Sequence, residues 1–240
     1  GVGLLLAPLI VSYLFRKTSY ENTVSVLAAL MVVGMVPALI AEYPKSEAAF
    51  EFAKTLSMLT EPAVLVAGLA LFCYAALDVS FSNWLPAFGK EAILASRPDA
   101  DPEQTDASAQ RLISVYAVSL ILGRLAASQI PALTVFGSWF VAVASAFTAL
   151  LIVWMTWTRR APVAWLLVFV VGLATAPFFP TIVGITFGKF RPEVYGSVFG
   201  VIFAGALLGG ATVPKAIGNL AKGSSVQKSM VLLAPLCVIL

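Results

Sequence analysis

PAVLVAGLALFCYAALDVSFSNWLPAF, residues 62–88, is an apolar run longer than the roughly 20 residues that cross a bilayer core, and its one charge is Asp78. The run is continuous and rich in Leu, Ala and Val, without apolar–polar alternation, so it reads as a membrane helix and not as a barrel strand. Seven further apolar runs lie around it, at residues 1–15, 23–40, 112–130, 136–157, 162–187, 195–217 and 226–240, the first and last of them short. Eight spans in 240 residues leave little chain for a soluble domain. The expected fold class is an all-α membrane protein.

The composition agrees. Hydrophobic residues make up 60% of the chain and charged residues 11%, against the roughly one-quarter charged residues of a soluble domain. The net charge of +3 is spread in short clusters between apolar runs, which gives no nucleic-acid surface. Histidine is absent, and with it the commonest general base, metal ligand and proton switch, so any proton coupling has to use carboxylates. Cys73 and Cys237 both sit inside apolar runs as small packed hydrophobes. No metal-ligand cluster, cofactor motif or nucleophile with a nearby base is found, so neither a metal, a cofactor nor an enzymatic activity is expected. Gly1 already lies inside one apolar run and Leu240 inside another, so the sequence reads as part of a longer protein.

Two connections are longer than the rest. Residues 43–61 place Ala49, Phe52, Ala53 and Leu56 at helical spacing, as in a short amphipathic helix at the interface, and Pro62 then suits the first turn of the next span. Residues 89–111 hold Arg97, Pro98, Asp99, Asp101, Pro102, Glu103 and Asp106 without an apolar period, which predicts a solvated acidic loop. Ten of the fifteen basic residues, including Lys90, Arg97 and Arg159, fall on the side of that loop, and the positive-inside rule alone would make it cytoplasmic.

Asp78 is the side chain most costly to place at its depth, since a carboxylate in hydrocarbon needs a partner, a proton or water. Helical spacing puts Tyr74, Asp78 and Ser82 on one stripe, where they could hold a polar solute; otherwise Asp78 only accepts hydrogen bonds from neighbouring helices. Arg124 lies within the span 112–130, with Tyr116 and Ser128 on a related face, and either binds an anionic group or snorkels to the headgroups. Pro177 and Pro180 interrupt the middle of a span, which predicts a kinked or broken helix that either lines a pathway or is a packing kink. Gly196 and Gly200, and Gly205 and Gly209, form two G-x-x-x-G pairs on opposite faces of the seventh run, so that both faces can approach neighbours closely.

Together these stretches resemble the sugar-symporter branch of the major facilitator superfamily, the group that contains bacterial fucose permease. YAALDVSFSNWLPAFGKE, residues 74–91, is similar to its seventh helix, with Asp78 and Trp84 on that group's acidic and tryptophan positions. ILGRL at 121–125 resembles its eighth helix, PFFPTIVGI at 177–185 its tenth, and residues 195–221, with Gly209, Gly210, Pro214 and Gly218, its eleventh. The resemblance implies a helical bundle of which this chain covers helices 5 to 12. Residues 1–42 would be the last two helices of the N-terminal half, 43–61 the central linker, and 62–240 the six-helix C-terminal half. It implies a multi-pass protein of the bacterial inner membrane, with residues 43–61 in the cytoplasm and the loop 89–111 outside, the reverse of the basic-residue count. The implied activity is alternating-access secondary transport of a sugar or similar small polar solute, coupled to a proton or another cation. Tyr74, Asp78, Asn83 and Trp84 would bind the solute, while Arg124, Pro177, Pro180, Gly209 and Gly210 would line or gate the pathway. An exporter of apolar or amphipathic compounds and a non-translocating receptor or assembly subunit are the alternatives.

Overall fold

A computed structural model of the protein describes residues 10, 14, 18–41, 52–130, 133 and 135–240. Apart from Ile10 and Leu14, the first apolar run lies outside the described residues, as does the part of the 43–61 connection before Phe52. The chain divides into two compact units, Gly1–Phe50 and Glu51–Leu240. Every regular element among the described residues is helical.

In the first unit, α1 (Tyr20–Ile40) starts at Ser19, whose Oγ accepts the Asn22 N–H at 3.4 Å, with Glu21 in the first turn beside the positive end of the helix dipole. Leu30, Met31, Val32 and Val33 are all exposed although they point in every direction round the axis. An apolar surface on all sides is not that of a helix facing water.

The second unit opens with α2 (Phe52–Ser57) and a 3₁₀ turn at Met58–Thr60. Thr55 Oγ1 in α2 donates to Ser197 Oγ at 3.0 Å. Then follow α3 (Pro62–Ser96), α4 (Pro102–Ser128), α5 (Gly137–Trp157), α6 (Ala161–Thr175), α7 (Phe178–Phe187), α8 (Tyr195–Ala221), α9 (Val226–Ser229) and α10 (Leu233–Ile239). Among the described residues five helical stretches are long and apolar enough to cross a membrane: α3, α4, α5, the pair α6–α7, and α8 with the 3₁₀ turn before it. Residues 21–37 and 226–239 form shorter apolar helices. The last run is not one regular helix: Pro235 offers no amide to Val231 O, and the Leu233 N–H closes a 3₁₀ turn at Met230–Leu232 on Met230 O.

The acidic stretch 89–111 is a correction to the sequence reading, because it is helical except at residues 97–101. At 35 residues α3 is about 52 Å long, well beyond a hydrocarbon core of about 30 Å, and its last turns stand outside the membrane. Asp101 caps α4 by accepting the Gln104 N–H at 2.9 Å, Pro102 occupies the first turn, and Lys90 pairs with Asp106 at 2.7 Å. An apolar period does exist there, as Thr105, Ala109, Leu112 and Tyr116 are all buried, but two of its members are too small or too polar to register as hydrophobic.

The extramembrane end of α3 gathers the connections after α5 and α8. Ser96 Oγ accepts the Ala161 N–H at 2.8 Å and donates to Arg159 O at 2.7 Å. The Glu91 carboxylate accepts the Val226 and Gln227 N–H groups at 2.9 and 2.8 Å, and Gln227 Nε2 donates to Met155 O at 2.7 Å and to Thr158 O at 2.6 Å. The connections after α3, α5 and α8 therefore share one side, as alternating spans require.

Between helices in lipid, attraction comes from close packing, which small residues allow. The α3–α8 seam is built this way on one glycine face only. A Cβ on Gly205 would sit 2.6 Å from Gly68 O, and one on Gly209 would collide with Phe72 O. Gly196 and Gly200 meet nothing within 4 Å, so the second pair does not make the close approach anticipated for it. Gly205→Ala or Gly209→Ala should cost about 1–3 kcal/mol, because the obstacle is backbone and the helices must separate. Gly200→Ala should be neutral or add about 0.4–1 kcal/mol. Detergent unfolding of the three variants tests this order, and equal losses at all three positions would contradict the seam.

Candidate solute-binding site

Tyr74 and Asp78 lie one turn apart on α3, as their spacing requires. Ser82, the next member of the stripe, turns back to donate to Asp78 O at 2.9 Å, so its hydroxyl serves the helix. The Asp78 carboxylate is held from α4, where Tyr116 OH donates to Asp78 Oδ1 at 3.0 Å. Tyr116 is itself fixed, 1% exposed and stacked on Phe81 with ring centroids 5.4 Å apart.

Pro177 and Pro180 divide the span 162–187 into α6 and α7. Pro180 has no N–H, so Ala176 O loses the donor that an unbroken helix places four residues on. Arg124 replaces it, Nε donating to Ala176 O at 3.3 Å. Pro177 releases Leu173 O in the same way, and that carbonyl lies against Gly123, where a Cβ would come within 2.8 Å. The dipeptide Gly123-Arg124 thus meets both carbonyls that the two prolines set free. Arg124 also reaches α3, Nη2 donating to Tyr74 OH at 3.2 Å.

These groups line a cavity of about 810 Å³, walled by Tyr74, Asp78, Val79, Arg124, Phe179, Pro180, Phe203, Leu207 and Gly210. Phe179 also leans on Tyr74, with ring centroids 5.9 Å apart. Arg124 and Pro180 line a second cavity of about 480 Å³ as well, together with Ser128, Pro177 and Thr181, so they form the partition between the two. The volumes lie in the range of small-molecule sites.

Of the residues singled out in the sequence, Tyr74, Asp78, Arg124, Pro180 and Gly210 converge on the larger cavity. Pro177 faces the smaller one, and Gly209 is packed on the Phe72 backbone. Asn83 is exposed, and Trp84 rests on α8, with Nε1 donating to Pro214 O at 3.0 Å and its ring against Gly218. Neither belongs to the residues lining the cavity. Tyr116 was the missed member: its position eight residues before Arg124 was the only signal available. Phe179 and Phe203 left none, since aromatics abound in these runs.

Residues 1–214 match the Major Facilitator Superfamily. The chain belongs to that superfamily. No curated protein and no solved structure matches it. Major facilitator proteins are multi-pass membrane transporters, and this one moves a small solute through a bilayer. Within this major facilitator chain the Tyr116 hydroxyl is what orients the acid in the wall. Tyr116→Phe keeps the stack on Phe81 but leaves Asp78 Oδ1 without its donor, and should cost about 1–3 kcal/mol. Thermal unfolding in detergent measures it; an unchanged midpoint would mean that the bond contributes nothing.

Proposed function

We propose that the protein is a secondary active transporter that carries a sugar or similar small polar solute by alternating access, in symport with a proton or another cation. The observation that supports this best is the 810 Å³ cavity, in which a carboxylate, a phenol and a guanidinium share a wall at the broken α6–α7 span. Polar groups are expensive to keep in hydrocarbon and cluster where a solute or ion passes. On this reading Asp78 accepts solute hydroxyls, and Phe179 and Phe203 offer ring faces to the apolar side of a sugar. Asn83 and Trp84 lie about 8–9 Å further along α3 and meet the solute on its way to or from the cavity. Residues 1–42, 43–61 and 62–240 then serve as the end of the N-terminal half, the central linker and the C-terminal half. The localisation that goes with this is the bacterial inner membrane, and no cofactor is required.

The apolar share of the wall, with Val79, Phe203 and Leu207, favours a second reading, export of an amphipathic compound. A receptor that binds without translocating is a third. Counterflow in proteoliposomes separates them, since only a transporter exchanges label across a sealed membrane, and sugars or amphiphiles as the exchanged species decide between the first two. Asp78→Asn should lower sugar exchange at least about tenfold, as expected for a lost hydrogen bond to a charged group. Exchange at the wild-type rate would remove Asp78 from the site.

The loop at residues 97–101 should face the outside of the cell. Cys73 and Cys237 are buried, so neither competes with a cysteine placed at exposed Asp99. Asp99→Cys should react with an impermeant thiol reagent on intact cells. Reaction only after permeabilisation would reverse the orientation.

A further inference from the structure

We infer that the transported solute carries a carboxylate that docks on Arg124, which makes it a hydroxylated acid of the sugar-acid kind. The inference rests on reading the 810 Å³ cavity as the solute site, and it begins from the donors that Arg124 leaves open. Arg124 is a half-buried guanidinium within a membrane span, and no carboxylate lies within 4.0 Å of it among the described residues, where the one ion pair is Lys90–Asp106. Asp78 lines the same cavity, yet its Oδ1 is held by Tyr116 and not by Arg124. α6, α7 and α8 contain no acidic side chain, so these helices offer Arg124 no other anion.

The partners that Arg124 does have are neutral oxygens. Nε is taken by Ala176 O and one Nη2 proton by Tyr74 OH. Both bonds orient the planar group, and the remaining protons, on Nη1 and Nη2, have no partner among the described residues. A guanidinium fixed on one edge and open on the other is the arrangement that pairs with a carboxylate through two parallel bonds. Asp78 in the same wall balances the charge of Arg124 through space but takes none of its donors, so a solute carboxylate is the anion that would meet them directly. The same wall holds acceptors for hydroxyl donors in Asp78, and ring faces in Phe179 and Phe203. A neutral sugar would satisfy those and leave the guanidinium open; a sugar acid satisfies both. The other source of an anion for Arg124 is a lipid headgroup phosphate, reached by snorkelling.

The test is exchange by the protein in proteoliposomes with matched pairs, glucuronate against glucose and gluconate against sorbitol, with glycerol phosphate and inorganic phosphate as competitors. The acids should exchange at least about tenfold better than their neutral partners, the gain of one charge-assisted contact. Arg124→Gln should bring the two members of each pair to within about twofold of each other. Should that variant fail to fold, the wild-type ratio decides by itself. Equal or better exchange of the neutral partners overturns the inference and leaves the sugar-transport reading standing. Exchange of neither member overturns both readings. Inhibition by the phosphates with no preference for the acids also overturns it, and assigns Arg124 to the headgroups.

Discussion

A carbonyl that loses its amide donor inside a bilayer has no water to turn to, and this constraint organises the second unit of the protein. Pro180 strips Ala176 O of its partner, and Arg124 reaches across from α4 to supply one. The close approach that this needs is given by Gly123, since any Cβ there would strike Ala176 and Leu173 O. A helix break, a glycine and a cation are thus one device spread over two helices. Because the guanidinium is planar, the bond that repairs the backbone also fixes the direction of its other donors, so fold and site are set by the same contact.

α3 supplies the counterpart. It is buried along Leu71, Tyr74, Phe81, Leu85 and Phe88, it forms the glycine seam with α8, and its outer end fastens the connections after α5 and α8. Asp78 stands in the middle of this well-anchored helix, and the Tyr116 hydroxyl restricts its rotamer further. An acid held on so rigid an element presents a fixed acceptor, which is what recognition of a solute requires and what a surface carboxylate on a mobile loop does not offer.

Much of this was legible in the sequence. Long apolar runs, and the charges set inside them at Asp78 and Arg124, are read directly because lipid makes each charge conspicuous. The two prolines likewise announced the α6–α7 break. What was not legible follows from pairwise geometry. That Arg124 serves Ala176 O depends on how α4 crosses α6, and that Trp84 turns to Pro214 O depends on how α3 crosses α8. The helicity of residues 102–111 was hidden for another reason: Thr105 and Ala109 face the interior, yet neither has the bulk that a hydrophobic period counts. The glycine pairs carried the opposite ambiguity. Both fit one pattern, and only the neighbours distinguish Gly205 and Gly209, pressed on backbone, from Gly196 and Gly200, where an added Cβ would meet nothing within 4 Å.

The places where this unit resists and permits movement follow from the same contacts. The seam of Gly205 and Gly209 against Gly68 and Phe72 has no room for even a methyl group, so α3 and α8 cannot slide without parting. At the extramembrane end, Glu91, Ser96 and Gln227 engage backbone groups at two separate connections, after α5 and after α8, which fastens those helices to one another. The α6–α7 break is fastened differently, by one side-chain bond of 3.3 Å in place of the helical ladder. Arg124 is bonded to Tyr74 at the same time and separates two cavities. A change at the cavity wall therefore reaches the backbone of the break through a single rigid group. Nowhere else among the described residues do a cavity and an interrupted helix share a contact of that kind.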